Sequence, residues 1–297
     1  MKLLVIIVTY NAMQWAERCF NSLQNSSIVP DVFVVDNGST DGTQAYVQEH
    51  YPEVLFHQSN ENLGFGRANN LGLQYALDKG YDYVYLLNQD AWVMPDTFEK
   101  LIRVSARHPE YGVLSPIQMD ASMKHIERGF ANSVLGEHQK TYPLLIEDLY
   151  LERKEDVYDV TFVMAAHWFI TRSCIEKSGG FSPTFPHYGE DNNYLDRIYY
   201  WKYKCGIVPR AKAVHDRSDS QWSKSKWNYI MYYIEPLILV SNPNKKPTFA
   251  YVIFKTLFKL FLRHDYSAIK YIFRFLKESG NINKNNRLST KQKAFLQ

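Results

Sequence analysis

The chain has little of what would take it out of the ordinary globular class. Its 297 residues include three cysteines, Cys19, Cys174 and Cys205. An odd number without metal-ligand spacing excludes a disulfide framework and fits reduced thiols in a reducing compartment. No apolar run reaches the roughly 20 residues that cross a bilayer. The opening "MKLLVIIVTYN" has an apolar stretch of only about six residues and no small-residue cleavage site. It reads as the buried first strand of a cytoplasmic protein. Excess charge is also scarce, since 34 Lys and Arg against 31 Asp and Glu leave +3, too little to argue for nucleic acid. Phosphate-cradling glycines are missing too. "GFGRANNLG" has two glycines at dinucleotide-fold spacing but Asn69 in place of the third, and there is no P-loop.

What is present, up to about residue 116, is an alternation of apolar runs and helical patterns. Leu3–Val8, Val32–Val35, Val54–His57 and Tyr83–Leu87 read as buried strands. Between them lie helical patterns over Met13–Leu23 and "GFGRANNLGLQYALDKG", the latter with Ala68, Leu71, Tyr75 and Ala76 on one face. "PDTFEKLIRVSARHP" is a further helix, with Pro95 near its start. Such alternation predicts an α/β fold whose sheet is covered on both faces. Residues 117–158 are less periodic and carry no chemistry we can read. A strand, a short helix and a Gly-Gly turn follow in "VTFVMAAHWFITRSCIEKSGGF", then a helix with a polar entry at Glu190-Asp191. "IVPRAKAVHDRSDS" reads as a short strand pair.

In open α/β sheets, ligands bind beyond the carboxyl ends of the strands. Here those ends carry Thr9-Tyr10-Asn11, Asp36-Asn37 and Asn88-Gln89-Asp90. Asp36 is placed to accept hydrogen bonds from a ribose hydroxyl or a nucleobase N–H. Without a glycine cradle, a bound diphosphate calls for a divalent metal, Mg or Mn, held by carboxylate and phosphate oxygens together. Asp90 is the candidate carboxylate, and His215, after another short strand, the candidate second ligand. Asp191 shares a helical face with Tyr194, Leu195, Ile198 and Cys205, which sets a carboxylate at a buried helix edge where a general base can work.

These motifs, from "VIIVTYN" through "VVDNGSTDGT", "ENLGFGRANNLGL", "YLLNQDAWV" and "GGFSPTFPHYGEDNNYLDR" to "AVH", resemble those of family 2 glycosyltransferases, in particular the bacterial rhamnosyltransferase-like group. The resemblance covers most of residues 3–215. It implies the GT-A fold, a Rossmann-like mixed sheet flanked by helices, and inverting transfer of a sugar to a hydroxyl. The donor would be a nucleoside-diphosphate sugar, dTDP-rhamnose or a UDP-sugar. The acceptor would be a glycan or polyprenyl-linked hydroxyl in cell-surface polysaccharide synthesis. By position, Thr9, Tyr10, Asn11 and Asp36 would face the nucleotide, and Asn62, Gly64, Arg67 and Asn70 would form the next wall. Asn88-Gln89-Asp90 stands at the Asp-x-Asp metal motif, with Asn88 in place of its first Asp. Asp191 would be the base, and His215 would complete the metal site. The acceptor side is expected at His167, Trp168, His187, Tyr188 and Glu190.

The expected domains are a catalytic unit over 1–220, with a nucleotide-sugar half (1–116) and an acceptor half (117–220). Amphipathic, aromatic and basic helices follow over 221–278, then a mobile tail over 279–297. The helices suit an anionic membrane surface, placing the protein on the inner face of the cytoplasmic membrane, but packing on the catalytic unit or a homodimer contact is also open. A nucleotidyltransferase would need a Gly-rich basic loop after the first strand, and "TYNAMQWAERC" has none. A non-catalytic nucleotide-sugar-binding or membrane-scaffold protein is the other alternative.

Overall fold

The computed structural model describes residues 1–134, 141–153, 155–217 and 223–296. Its first half runs β1 (Leu3–Thr9), α1 (Met13–Gln24), β2 (Asp31–Asp36), α2 (Thr43–His50), β3 (Leu55–Gln58), α3 (Gly64–Asp78), β4 (Tyr83–Asn88), β5 (Ala91–Val93), α4 (Thr97–Arg107) and β6 (Tyr111–Met119). The second half adds α5 (Arg128–Val134), α6 (Thr141–Tyr150), β7 (Tyr158–Asp159), β8 (His167–Thr171), α7 (Arg172–Ser178), α8 (Glu190–Tyr200) and β9 (Lys204–His215). All nine strands join one sheet, ordered β3-β2-β1-β4-β8-β6-β9-β5, with β7 also on β9. β3, β2, β1 and β4 are parallel, while β8 runs antiparallel between β4 and β6. Two apolar clusters, one on each face, bury the side chains that alternate along β1 and β4. This is the mixed, helix-flanked α/β sheet that the sequence predicts.

Register brings the strand ends together. Thr9 lies opposite Asp36 in the β1–β2 pair, and Val8 opposite Asn88 in the β1–β4 pair. Each strand therefore stops within about a residue of its neighbour, and the polar tips share one edge.

Three readings of local structure are corrected. Residues 204–215 form one long strand, not a strand pair, and the interruption at Pro209-Arg210-Ala211 is a register shift against β6. A proline lacks the N–H that a ladder needs, which is why the break falls there. On α3, Ala68 and Ala76 are buried as expected, but Leu71 is exposed and Asn69, Gly72 and Leu73 complete the buried face. A Cβ on Gly72 would lie 2.6 Å from Ile6 Cδ1, so glycine lets the helix sit directly on β1. The segment expected as a mobile tail holds α13 (Ser279–Ser289), and the residues after it are docked on the catalytic unit. The expected boundary at residue 220 lies outside the described residues, as does Gln297.

The C-terminal helices are α9 (Lys224–Tyr229), a π-helical turn (Ile230–Ile234), α10 (Glu235–Ser241), α11 (Phe249–Leu262), α12 (Ile269–Lys277) and α13. They surround their own apolar clusters, centred on Tyr232, Tyr233 and Leu237.

Candidate active site

The turn after β2 is built around a buried carboxylate. Asp36 Oδ2 accepts from Thr9 Oγ1 at 2.7 Å and Ser39 Oγ at 2.6 Å. Its Oδ1 accepts from the Gly38 and Ser39 amides and from Gln58 Nε2. Thr9 and Asp36 are fully buried, and every lone-pair direction of the carboxylate is taken. In this structure both residues brace the loop after β2. Asn11, at φ 52°, accepts from the Thr40 amide through Oδ1 and donates its own amide to Ser39 Oγ. Asp41, which the sequence reading passed over, ties the amides of Met13 and Thr43 together. Its signal was the "STDGT" run of turn-forming side chains.

At the tip of β4 the three polar residues divide their roles. Gln89 is a clamp, its Oε1 accepting from the Tyr10 amide at 2.7 Å and its Nε2 donating to the Tyr10 carbonyl at 3.2 Å. Tyr10 is left exposed at the mouth and Asn88 half-buried. Asp90 is held by the β5–β9 ladder, which sets Ala91 opposite His215 and bonds the Asp216 amide to the Asp90 carbonyl at 2.8 Å.

That ladder brings the two expected metal ligands together. His215 Nε2 lies 3.5 Å from Asp90 Oδ1, with His215 buried and the Asp90 side chain 23% exposed. Among the described residues no group of three or more His, Cys, Asp and Glu side chains is arranged to hold a metal. The pair nonetheless fits a divalent ion: one hard carboxylate, one imidazole, and a His215 Nδ1 that is buried with no hydrogen-bond partner in the described structure. Behind it, His167 bonds Tyr85 Oη at 2.8 Å and the Val214 carbonyl at 3.0 Å, and burial holds it neutral, its pKa lowered to about 3. His167 and Trp168 are completely buried, and Trp168 stacks on Phe181. The acceptor role expected of both is therefore corrected. In β8 every side chain points into a packed layer, which a five-residue strand's alternation does not reveal.

The acid pair sits at the start of α8, after Gly189 at φ 85°. Both carboxyls are raised above the ordinary range, first by burial; for Glu190 the charge of Asp191 adds to it. Asp191 Oδ1 accepts from the Asn192 amide at 2.8 Å, and the Arg217 guanidinium favours its charged form. Glu190 Oε2 is buried without a partner in the described structure. Arg217 was missed, although it follows His215 by two positions. A raised carboxyl pKa contributes stability below its unfolded value that is lost as pH rises through the folded value. Glu190→Gln should therefore stabilise the fold more at pH 8 than at pH 5, by about 2–4 °C per kcal/mol, read from thermal unfolding at the two pH values. Equal shifts at both pH values would contradict this.

A cavity of about 500 Å³ is lined by residues that include Asn62, Gly64, Arg67, Pro186 and His187, the last of them three positions before Glu190. Arg67 is exposed and paired with Glu61, and Asn62 Oδ1 accepts from the Gly64 amide. Tyr188, at φ 69°, lies under the Lys226 ammonium. Asn70 is not part of this wall: it brackets Phe181, accepting from its amide at 2.6 Å and donating to its carbonyl at 2.9 Å. All three cysteines are free and buried, as expected of inert thiols.

A parallel β1–β4 half within a mixed, helix-flanked sheet, with polar strand tips and an Asp-His pair at one edge, is the architecture of GT-A glycosyltransferases. The sequence profile of Glycosyl transferase family 2 matches residues 4–176, and the chain belongs to that family of glycosyltransferases. It is 28% identical over 234 residues to the N-acetylglucosaminyl-diphospho-decaprenol L-rhamnosyltransferase of Mycobacterium tuberculosis, covering 73% of this chain and 76% of that one. It is also 28% identical over 106 residues to the undecaprenyl-phosphate mannosyltransferase of Micrococcus luteus, covering 34% of this chain and 43% of that one. In fold it matches S. aureus TarS with a TM-score of 0.57 and 18% identity, over 89% of this chain. The chain spans 43% of the length of TarS. Residues 1–349 of TarS, solved with UDP-GlcNAc, match with a TM-score of 0.56 and 18% identity, over 98% of this chain and 82% of that one.

Proposed function

We propose that this glycosyltransferase moves a sugar, with inversion, from a nucleoside-diphosphate donor to a hydroxyl of a glycan or polyprenyl-linked acceptor in bacterial cell-surface polysaccharide synthesis. The rhamnosyltransferase relative supports dTDP-rhamnose as donor, and the TarS likeness keeps a UDP-sugar in contention. The observation that carries the reading is the approach of Asp90 to His215 at the strand tips. A half-buried acid pair, just after the cavity-lining His187 in the chain, supports it.

The loops at 9–13 and 36–43 hold the nucleotide, with Tyr10 and Asn11 at its mouth. Asn88 offers the sugar an uncharged amide, which leaves the metal site one negative charge fewer than an Asp-x-Asp motif would give. Asp90 and His215 would hold a divalent ion, Mg or Mn, which would supply positive charge to offset the negative charge gathering on a departing diphosphate. Asp191 takes the proton of the acceptor hydroxyl as that oxygen attacks the far face of the anomeric carbon, so no covalent sugar–enzyme intermediate forms. Neutral Glu190 donates a hydrogen bond to the acceptor and keeps a second negative charge away from the base. His187 and Tyr188 line the acceptor side. The enzyme works at the inner face of the cytoplasmic membrane, where a polyprenyl-linked acceptor is found.

The test is calorimetric titration of UDP and dTDP into the protein with and without Mn²⁺. One nucleotide should bind only with metal, and Asp90→Ala should weaken that binding by about 10–100-fold. Binding of neither nucleotide under any condition would bring the non-catalytic alternative forward.

A further inference from the structure

α11 and α12 pack inward through one face each and leave the other uncovered. Val252 and Leu260 of α11, and Ile272 and Phe275 of α12, are buried in the clusters around Tyr232, Tyr233 and Leu237. On the outer side Phe254, Phe258, Phe261, Leu262 and Phe273 are each more than half exposed. In α11, Phe254, Phe258 and Phe261 follow the spacing of one helical stripe. So large an aromatic surface left in water marks an interaction site.

The rim of this surface carries an excess of positive charge, with Lys259, Arg263 and Arg274 paired to Glu235, Asp265 and Glu278 and the remaining cations without an acid among the described residues. From 249 to 277 there are six Lys and Arg residues and a single acid, Asp265. That acid is turned inward, accepting from Tyr232 Oη at 2.8 Å. Lys255, Lys270 and Lys277 stand beside the aromatic stripe, and none is in an ion pair in the described structure. α11 has 14 residues, about 21 Å at 1.5 Å per residue. No helix among the described residues is long and apolar enough to cross a membrane.

We propose that this face docks the enzyme flat on an anionic lipid bilayer. Its phenylalanines enter the boundary between headgroups and acyl chains, and its lysines meet anionic headgroups. The proposal rests on the reading above that the enzyme works at a membrane, and it names the surface and the lipid charge involved. A second copy is a poorer occupant. A two-fold contact sets the same patch against itself, lysine rim against lysine rim. The footing is also braced against the acid pair, since a Cβ on Gly189 would lie 2.9 Å from Ile234 Cγ2 and 3.2 Å from Ile238 Cδ1. The acceptor side of the site thus rests on the same helical unit that carries the membrane face.

The experiment is flotation of the full chain with phosphatidylcholine vesicles, and with vesicles of which about a third is phosphatidylglycerol. Binding should be at least about tenfold stronger to the anionic vesicles and should weaken with salt. Phe258→Glu with Phe261→Glu should lower it about tenfold or more, and Lys255→Glu, Lys270→Glu and Lys277→Glu together should remove its preference for anionic lipid. All five side chains are exposed, so the variants should keep the wild-type melting temperature and donor hydrolysis. The proposal is overturned if wild type does not float with anionic vesicles, or if both variants float as well as wild type. It is equally overturned if wild type is a dimer that the phenylalanine variant makes monomeric. Anionic-vesicle binding without donor hydrolysis would sink the glycosyltransferase reading and leave this one standing.

Discussion

Asp191→Asn should lower kcat by about 10²–10⁴-fold, the contribution of a positioned general base, while leaving nucleotide affinity within about twofold. The carboxylate sits at the first turn of α8 on a side chain that is half-buried, and its Oδ1 already accepts from the Asn192 amide. Asparagine keeps the shape and that hydrogen bond but has no lone pair basic enough to take the acceptor proton. Donor binding depends on other elements, the β1, β2 and β4 tips, so affinity and turnover separate. Burial raises the Asp191 carboxyl above the ordinary carboxylate range, so the acid limb of kcat/KM in wild type should fall above about pH 4, and activity is lost as pH drops through it. Steady-state kinetics against pH, with nucleotide titration of the variant, reads both effects. A variant within tenfold of wild-type kcat would remove Asp191 from the role of base.

Arg197→Ala should destabilise the fold by about 3 kcal/mol, a drop of about 6–12 °C in Tm. The guanidinium is completely buried and has no carboxylate partner among the described residues. Instead Nη1 donates to the Ser178 carbonyl at 2.5 Å and Nη2 to the Gly180 carbonyl, while Nε donates to Asn193 Oδ1. Tyr194 and Phe295 cover its faces, each with the ring centroid 5.2 Å from Cζ. Burial lowers its pKa to about 10, which still leaves it charged at neutral pH. Removing it orphans two carbonyls, opens a cavity, and loosens the turn that receives the C-terminus. At that turn the Gly180 amide donates to the Ala294 carbonyl at 2.8 Å, and a Cβ on Gly179 would lie 2.0 Å from the same oxygen. Arg197→Lys should recover only part of the loss, because one ammonium lacks the planar fork that spans both carbonyls. Denaturant unfolding of both variants measures this, and a loss under about 1 kcal/mol in the alanine variant would refute it.

The docked C-terminal segment was unreadable in advance because its partners are a glycine turn and a buried arginine about a hundred residues earlier. "NINKNNRLSTKQKAFLQ" is mostly polar, and its contacts come from scattered residues, Ile282, Asn285 and Ala294 with its neighbours. His167 and Trp168 were misplaced for a related reason. A strand of five residues with both faces covered looks the same from sequence whether it lines a pocket or fills a core. Asn70, Gln89 and Asp36 show the other limit, for a polar side chain near a ligand edge can equally serve the backbone beside it. Arg217 lay in plain view after His215, but nothing local to it said that its charge would reach α8.

By itself the sequence determined the α/β class, the polar strand tips, the pairing partners Asp90 and His215 as candidates, and the amphipathic character of α11 and α12. All of these rest on local period and on residue type, which act within a few positions of chain. Tertiary structure alone decided which polar side chains face the edge and which are sealed beneath it, how close Asp90 comes to His215, and which face of α11 and α12 stays open. Those outcomes depend on register between strands that are far apart in the chain, and on which helix happens to cover which face. No local pattern encodes that, because the free energy of burial is settled only when the partners meet.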